Sequence, residues 1–347
     1  MDILDPDRLP ARFDDVAALE EFLSRPSRAL IDDLGGLDGD ILILGVGGKM
    51  GPTLARLARR AAPGKRVVGV ARFSEPGLRA ELERRGVETV ACDLLDRAQV
   101  AALPKLDNVV FMAGRKFGAT GNEELTWAMN TWVPSVVAEA FPAARTVAFS
   151  TGNVYPFSAV AGPHPTEATP PGNSSGEYGI SCLGRERMFE YFSGRFGTPG
   201  RIIRLNYAVE MRYGVLCDVA TKVFAGTPID LAMGHVNVIW QGDANAQALR
   251  ALLHCTTPTS PLNVSDPETV SIRALATRFG EAFGRRPAFE GTEAETALLT
   301  DASQAAKLFG PPLVPLERAI GWTADWVSRG MPSLAKPTHY DTRDGRF

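Results

Sequence analysis

A glycine-rich turn is the first place in the chain where residue types and spacing suggest chemistry. The segment GVGGKMG at 45–51 follows an apolar run that predicts a strand and opens a segment that predicts a helix. Gly45 permits a tight turn, Gly48 lets the backbone approach a pyrophosphate, and Gly51 lets the helix pack closely on the strand. The helix N-terminus would then face the phosphates. The turn is therefore predicted to bind a dinucleotide, and a glycine-rich turn without a ligand is the alternative.

The end of the second predicted strand bears on which dinucleotide is bound. It reads VVGVARFS, with Ala71 and Arg72 where a fold that selects NAD usually offers an acidic side chain to the ribose hydroxyls. A guanidinium there can pair with a 2′-phosphate, so Arg72 favours NADP, with NAD as the other possibility. A solvated charge and a stacking surface for adenine are the alternative interpretations of Arg72.

Composition and the spacing of Cys and His exclude several classes of function. The four Cys and four His residues show no CxxC or ligand spacing, which predicts reduced thiols and no metal site. A formal net charge of −3 and the lack of a Lys/Arg block argue against nucleic acid. The apolar runs are too short for a bilayer span, and the acidic start lacks the order of a signal peptide. A cytoplasmic protein with no membrane partner is expected.

Short apolar runs alternate with helix-length segments and would position the glycine turn. The predicted strands are ILILG (41–45), RVVGVA (66–71), VETVAC (87–92), NVVFMAG (108–114), RTVAFST (145–151) and RIIRLN (201–206). The main predicted helices between them are 51–62, 124–141 and 177–196. Continuous apolar strands separated by helices predict an α/β fold, with a doubly wound parallel sheet covered on both faces.

The 347 residues divide into four predicted segments. These are a helical lead-in (1–39), a dinucleotide-binding Rossmann domain (40–206), a smaller mixed substrate lobe interleaved with it (207–335) and a tail (336–347). The loop 156–178 is long and rich in Pro, Gly, Ser and Thr, and it is predicted to lie over a site.

The order of these pieces resembles the extended short-chain dehydrogenase/reductase family, in the branch that contains sugar-nucleotide epimerases and dehydratases. The resemblance covers about residues 40–330 and rests on GVGGKMG, CDLLD (92–96), VVFMAG (109–114), NTWVPS (130–135), FSTGNVY (149–155), EYGISCLGRE (177–186), RIIRLN and two later segments (261–285 and 306–326). It implies a Rossmann fold that binds NAD(P). Together with the glycine turn it predicts a cofactor site comprising Gly45, Gly48, Lys49, Met50, Gly51, Arg72, Asp93, Leu94, Ala113 and Gly114.

The resemblance also implies three catalytic residues. Tyr178 would give or take a proton, Thr151 would hydrogen-bond a substrate oxygen, and Asn130 would help to hold the active-site helix and a water. In the dehydratase branch an acidic pair follows this Thr, whereas Gly152 and Asn153 stand here, which argues against a sugar-nucleotide 4,6-dehydratase. Each of these residues also has a purely structural interpretation. Thr151 is a residue type that favours β-strands, Asn130 can be exposed or hydrogen-bond to nearby backbone, and Tyr178 can be an aromatic helix residue whose hydroxyl contacts water.

The family motif reads YxxxK, but Cys182 stands in place of the Lys. A free Tyr has a pKa of about 10, and a positive charge nearby lowers it, which a thiol cannot do. Arg115 and Lys116 after the fourth strand, and Arg185 and Arg187 further along the helix, are candidate substitutes. The strand-end pair is better placed in principle. Two alternatives do not require a substitute cation: the chemistry does not depend on a strongly activated Tyr, or the protein binds nucleotide without turning over a substrate.

These observations predict an NAD(P)-dependent oxidoreductase or epimerase-like enzyme. Its substrate would carry a hydroxyl or carbonyl on a sugar, sugar nucleotide or related polyol acid, and the alternative is a catalytically weak NAD(P)-binding sensor. Asn206 and Arg212 are possible contacts to a phosphate or hydroxyl, or simple loop hydrogen-bonders. A homodimer through the Trp-bearing helix 124–141 is possible, although that helix can equally be buried against its own sheet.

Overall fold

In the computed structural model, residues 2–116, 118, 121–172, 176–336 and 338–345 are described. Their strands are β1 (Ile41–Leu44), β2 (Val67–Ala71), β3 (Glu88–Ala91), β4 (Asn108–Phe111), β5 (Arg145–Thr151), β6 (Ser158–Ala159), β7 (Gly200–Leu205), β8 (Ala208–Val209), β9 (Ile229–Asp230), β10 (His235–Val236), β11 (Ile239–Trp240), β12 (Ser260–Val264), β13 (Val270–Ser271), β14 (Phe289–Glu290) and β15 (Thr296–Ala297). Their α-helices are α1 (Val16–Leu23), α2 (Arg28–Gly36), α3 (Gly51–Ala61), α4 (Leu78–Arg84), α5 (Arg97–Ala101), α6 (Glu123–Trp127), α7 (Val133–Ala140), α8 (Gly176–Phe196), α9 (Val215–Ala225), α10 (Gln241–Arg250), α11 (Ile272–Phe283), α12 (Ser303–Phe309) and α13 (Leu316–Ser328).

A parallel sheet of seven strands forms the centre, in the order β12-β7-β5-β4-β1-β2-β3. Both of its faces are covered, because alternate residues of β1 pack into two separate cores. Ile41 and Ile43 pack with residues of α3 and α10, whereas Leu42 and Leu44 pack with residues of α7 and α8. The apolar runs are continuous for this reason. The predicted doubly wound α/β fold is confirmed.

The strand order reverses between β1 and β4, the neighbours at the centre of the sheet. In a doubly wound sheet a crevice opens at such a point, outside the carboxyl ends of the strands. The glycine turn follows β1, and Arg115 and Lys116 follow β4, so both lie at this end of the sheet. The crevice is therefore where a ligand is expected.

The seventh strand, β12, was not among the strands predicted from the sequence. Its residues are SPLNV, and Pro261 and Asn263 interrupt the apolar pattern. The strand lies at the edge of the sheet and pairs only with β7, where a Pro is tolerated. The chain therefore returns to the first domain after residue 207, while the proposed division into domains stays a prediction.

The predicted helix 124–141 is divided into three parts. A π-helical turn at Ala128–Trp132 separates α6 from α7, and Asn130 within this turn is fully buried. A π turn inserts an extra residue into a helix and is frequent at functional sites. The turn therefore directs Asn130 inward, towards the end of β4.

The smaller lobe contains α9, α11 and α13, which pack on one another. The N-terminal lead-in joins it, because Phe13 and Phe22 contact the Trp322 ring at centroid distances of 4.9 and 5.4 Å. Part of the described loop 156–178 also packs here, with Phe157 against Met233, while Tyr178 at its end lines the small cavity described below. The prediction that the loop lies over a site stays a prediction. Residues 173–175 of that loop lie outside the described residues. No helix in the described ranges has the length and apolar character to cross a membrane.

Candidate active site

The glycine turn has the geometry that its sequence predicts. Gly45 has φ +89°, and a Cβ there would lie 2.6 Å from the backbone nitrogen of Ala113. A Cβ on Gly51 would overlap the carbonyl oxygen of Val46. Gly48 differs, because a Cβ there would meet only the Gly45 oxygen, at 3.5 Å. Two glycines are thus required by the fold, and the third leaves space at the surface of the crevice.

A cleft of about 370 Å³ adjoins this turn. Seven of the ten predicted cofactor residues line it, namely Gly45, Gly48, Arg72, Asp93, Leu94, Ala113 and Gly114. Arg72 is exposed. The close approach of backbone at the glycines and the shape of the cleft fit a dinucleotide.

The other three predicted cofactor residues lie elsewhere. Gly51 is buried in the first turn of α3. Lys49 and Met50 line a second cavity, of about 120 Å³, beyond the glycine turn. The Lys49 ammonium lies 3.2 Å from the centroid of the Tyr213 ring, a cation–π contact. The Lys49 side chain therefore points away from the cleft that the sequence assigned to it.

Thr151 and Tyr178 line the same small cavity as Lys49. Thr151 is the last residue of β5, and Tyr178 is in the first turn of α8. Burial raises the pKa of Tyr178 above its ordinary value of 10, and the Cys182 thiol acts in the same direction. The Arg185 guanidinium and a hydrogen bond with Thr151 oppose this rise in pKa. The Tyr178 hydroxyl is accordingly protonated at neutral pH.

Asn130 holds the surrounding backbone. Its Oδ1 accepts hydrogen bonds from the Arg115 backbone nitrogen (2.8 Å) and from Arg185 Nη2 (2.8 Å). Its Nδ2 donates to the Arg115 carbonyl (2.9 Å) and to Ser181 Oγ (3.0 Å). Asn130 therefore ties the end of β4 to α8, and it is not among the residues that line the small cavity.

Cys182 is fully buried in a cluster with Val154 and Tyr155. One turn further along α8, Arg185 donates from Nη1 to the Phe149 carbonyl at 2.7 Å. Its Nη2 lies so close to Gly114 that a Cβ there would overlap it. Arg185 thus brings a positive charge beneath the end of β4.

The four candidate substitutes for the missing Lys differ in their position relative to Tyr178. Arg187 pairs with Glu190 on the exposed side of α8, and the Arg115 guanidinium donates to the Gly118 carbonyl at 2.9 Å. Lys116 lines the small cavity, with its ammonium 5.8 Å from the centroid of the Tyr178 ring. Of these four candidates, Lys116 and Arg185 are therefore the two that lie near Tyr178.

Burial affects both lysines of the small cavity. It lowers the pKa of Lys116 to about 8, partly opposed by Asp218, and lowers that of Lys49 to about 7. Part of each side chain remains accessible because it faces the cavity, while protein encloses the rest. Both ammonium groups therefore titrate close to neutral pH.

Two tyrosines that line the small cavity, Tyr207 and Tyr213, were not predicted from the sequence. Tyr207 follows Asn206 at the end of β7 and has φ +39°, a backbone strain that is typical of functional sites. Its place directly after the predicted strand RIIRLN was the available signal, whereas Tyr213 had none. Asn206 also lines the cavity. Arg212 instead pairs with Glu210 and Glu20, outside it.

Comparison with known proteins identifies the central part of the chain. The sequence model of the NAD dependent epimerase/dehydratase family matches residues 41–209. The matched segment is just under half of the chain. The match contains β1 to β8, and with them the glycine turn, Thr151 and Tyr178. The family resemblance inferred from the sequence is thereby confirmed. Among curated protein sequences, none matches the chain.

Solved structures of sugar-nucleotide epimerases are similar to this chain in fold. The UDP-glucose 4-epimerase of Thermotoga maritima, solved with UDP-glucose, is 16% identical, covers 84% of this chain and 99% of its own, and has a TM-score of 0.69. The UDP-glucuronic acid 4-epimerase of Bacillus cereus, solved with NAD, is 19% identical, covers 84% of this chain and 99% of its own, and has a TM-score of 0.70. The UDP-glucose 4-epimerase of Thermus thermophilus, also solved with NAD, is 19% identical, covers 82% of this chain and 98% of its own, and has a TM-score of 0.67. At these identities the likeness is one of fold.

Proposed function

We propose that this protein is an NAD(P)-dependent oxidoreductase or epimerase-like enzyme that acts on a hydroxyl or carbonyl group of a carbohydrate-like substrate. The observation that carries the proposal is the shared cavity of Thr151, Tyr178 and Lys116, which come from three separate elements beside the glycine turn. The family match over residues 41–209 and the NAD and UDP-sugar ligands of the structural neighbours support it.

The dinucleotide would be held by the glycine turn and by the other cleft residues described above. When bound, a nicotinamide cofactor supplies hydride transfer. Arg72, exposed at the cleft, would pair with a 2′-phosphate, so NADP is the proposed cofactor and NAD the alternative. Asp93 lies in the same cleft, where the family resemblance assigns it to the adenosine part.

Tyr178 would exchange a proton with the substrate oxygen, which Thr151 would hold by a hydrogen bond. Because its hydroxyl is protonated at neutral pH, Tyr178 is ready to donate a proton to a carbonyl oxygen. Accepting a proton from a hydroxyl group requires its phenolate form, which positive charge stabilises. Lys116 and Arg185 would supply this charge in place of the Lys that Cys182 replaces.

A homodimer forms part of the proposal. Trp127, Trp132, Ile180 and Tyr191 are exposed on the faces of α6, the π turn and α8. These elements pack on one another, and their exposed apolar side chains are the proposed association surface. Large exposed aromatic side chains gathered in one place are typical of association surfaces.

The decisive experiment separates binding from turnover. Stripped protein is titrated with NADPH, NADP, NADH and NAD, and Gly48→Val is compared with Gly64→Val, because a Cβ on Gly64 meets nothing within 4 Å. Gly48→Val should weaken binding by about tenfold or more through loss of close backbone approach to the pyrophosphate. Arg72→Ala should weaken NADPH binding and leave NADH binding unchanged. An absence of dinucleotide binding would refute the proposal.

Turnover is then tested by nicotinamide absorbance with a panel of sugars and sugar acids. Tyr178→Phe should bind dinucleotide normally and lose about 100-fold or more in rate, the usual contribution of a general acid. Binding without turnover on the whole panel, unaffected by Tyr178→Phe, would favour a sensor instead of an enzyme.

A further inference from the structure

Two lysines, Lys49 and Lys116, lie in the wall of the small cavity. Within the part of the chain that the structure describes, Lys49 and Lys116 are the charged side chains in its lining. The remaining polar side chains are hydroxyls and amides, from Ser150, Thr151, Asn153, Tyr178, Asn206, Tyr207, Tyr213 and Thr338. Hydroxyls and amides suit the hydroxyl groups of a polyol, and two ammonium groups suit an anion.

Two acidic side chains that attract Lys49, Glu210 and Asp218, are not among the residues that line the cavity, and both hold other hydrogen bonds. Glu210 accepts hydrogen bonds from the backbone nitrogen of Arg212 (2.8 Å) and from its Nε (3.1 Å). Asp218 accepts from the backbone nitrogen of Thr338 (2.8 Å) and from its hydroxyl (2.6 Å). Both acids attract Lys49, while Lys116 repels it. An anion inside the cavity would relieve this repulsion and stabilise both ammonium groups.

The size of the cavity restricts what can enter it. One part of its wall is Thr338, whose carbonyl accepts a hydrogen bond from Lys116 Nζ at 3.1 Å. Residues 338–345 form what we call the C-terminal strap. Residues 339–341 of the strap line a different cavity, of about 490 Å³, so the strap stands between the two. At about 120 Å³ the small cavity lies well below the range of roughly 300–1,000 Å³ that drug-sized ligands occupy.

The strap is anchored along its length. Tyr340 is buried in the core of the smaller lobe, and Asp341 pairs with Lys222 at 3.2 Å. Arg343 donates to the Thr296 carbonyl at 2.9 Å, and Gly345 packs against the start of α8. The wall beside Lys116 is therefore held in place by contacts with both parts of the molecule.

The geometry points to a narrower substrate class: a small hydroxy or keto acid without an attached nucleotide, whose carboxylate lies between Lys49 and Lys116 and whose reacting oxygen lies at Thr151 and Tyr178. The assignment of the reacting oxygen rests on the proposed function. The carboxylate site rests on the two lysines and on the strap.

Binding to wild-type protein, with and without NADPH, is measured by calorimetry, so that turnover is not needed. The probes are gluconate, glucuronate and glycerate, each compared with its neutral counterpart (glucitol, glucose and glycerol), together with UDP-glucose and UDP-glucuronate. At least one acid should bind about tenfold or more tightly than its neutral counterpart, and neither UDP-sugar should bind more tightly than that acid.

Three variants test the lysine assignment. Lys49→Met should abolish the preference for the acid, and Lys49→Arg should retain it. Lys307→Met, on the exposed side of α12, should behave like the wild type. The inference is overturned if no acid is preferred, if the preference survives Lys49→Met, or if a UDP-sugar binds more tightly than the free acids.

The two proposals fail in different ways. Dinucleotide binding with a Tyr178-dependent reaction, but no preference for the acids, would contradict the proposed substrate class and leave the proposed function standing. A preference for the acids that depends on Lys49, in a protein that binds no dinucleotide, would contradict the proposed function and still support the anion site.

Discussion

Cys182 and Lys116 belong to different elements, yet both lie beside Tyr178. Cys182 is on α8, one turn after Tyr178, whereas Lys116 follows β4 and lines the same cavity as Tyr178. Electrostatic stabilisation depends on distance and surroundings rather than on position along the chain. In the function proposed above, an ammonium group from the strand end takes the place of the Lys that Cys182 replaces.

Replacing Lys116 with Met tests this substitution through the pH profile. Because opposite charges shift a pKa by about 1–3 units, we expect the variant to lose about tenfold or more in turnover at neutral pH. In the wild type the rate should fall as pH rises through about 8, where Lys116 loses its proton. This descending limb should be missing from the variant and present in Lys307→Met. An unchanged profile in Lys116→Met would exclude a role for this ammonium.

The same variant should be more stable than the wild type. The folded-state pKa of Lys116, about 8, lies below its ordinary value of 10.5. Below about pH 8 both states are protonated and the full burial cost, about 3 kcal/mol, is present. Between about 8 and 10.5 the unfolded state binds more protons, so wild-type stability rises with pH.

Lys116→Met removes this burial cost and loses the hydrogen bond to the Thr338 carbonyl, worth about 1 kcal/mol, so we expect a net gain of about 2 kcal/mol at pH 7. Urea unfolding at pH 7 and at about pH 9 measures it, and the gain should shrink at the higher pH. A variant that is less stable than the wild type at pH 7 would contradict this account.

At the scale of elements, α8 is joined to the sheet by a buried ion pair. Arg204 of β7 donates from Nη2 to Glu186 of α8 at 2.7 Å, and Ser150 of β5 donates to the same carboxylate at 2.6 Å. Arg204 also donates to the Tyr155 hydroxyl at 2.6 Å. Glu186 and Tyr178 share one helix, so this network sets the position of Tyr178 against Thr151.

Glu186→Gln should therefore destabilise the protein by about 3–5 kcal/mol, because it leaves the buried Arg204 charge without its partner. Glu190→Gln on the same helix is the matched control, since Glu190 pairs with Arg187 near the surface and should cost no more than about 0.5 kcal/mol. Urea unfolding measures both changes. Equal losses in the two variants would mean that the network does not stabilise the helix.

At the scale of the whole molecule, the largest exposed aromatic side chains lie on the helices next to the active site. Trp132 is 48% exposed and Tyr191 57% exposed, on the π turn and on α8 respectively. The elements that present this face also carry Asn130 and Tyr178. An association there would bury aromatic area and brace the helix that positions the proton donor.

Trp132→Glu should convert the proposed dimer into a monomer, because it places a charge at the centre of an apolar interface. Light scattering coupled to size-exclusion chromatography gives the mass of each variant. Leu253→Glu changes a residue of similar exposure, 43%, away from this face and should remain dimeric. A monomeric wild type would refute the dimer.

The sequence by itself determined the elements and the cofactor turn. Continuous apolar runs predicted six of the seven sheet strands, since strands covered on both faces need apolar residues throughout. The glycine spacing predicted a local backbone geometry, and Gly45 and Gly51 have it. The family resemblance, rather than a local pattern, placed Thr151 and Tyr178 in one site, whereas the strands and the glycine turn follow from the local sequence. These are local properties, and neighbouring residues decide them.

Only the tertiary structure decided which charges reach the reacting groups. Lys116 donates to Thr338, which is 222 residues away, and Lys49 lies on the ring of Tyr213 rather than in the cleft. The edge strand β12 was recognisable only from its pairing with β7. Side-chain direction and the closure of a cavity depend on contacts between distant parts of the chain, and no local pattern encodes these contacts.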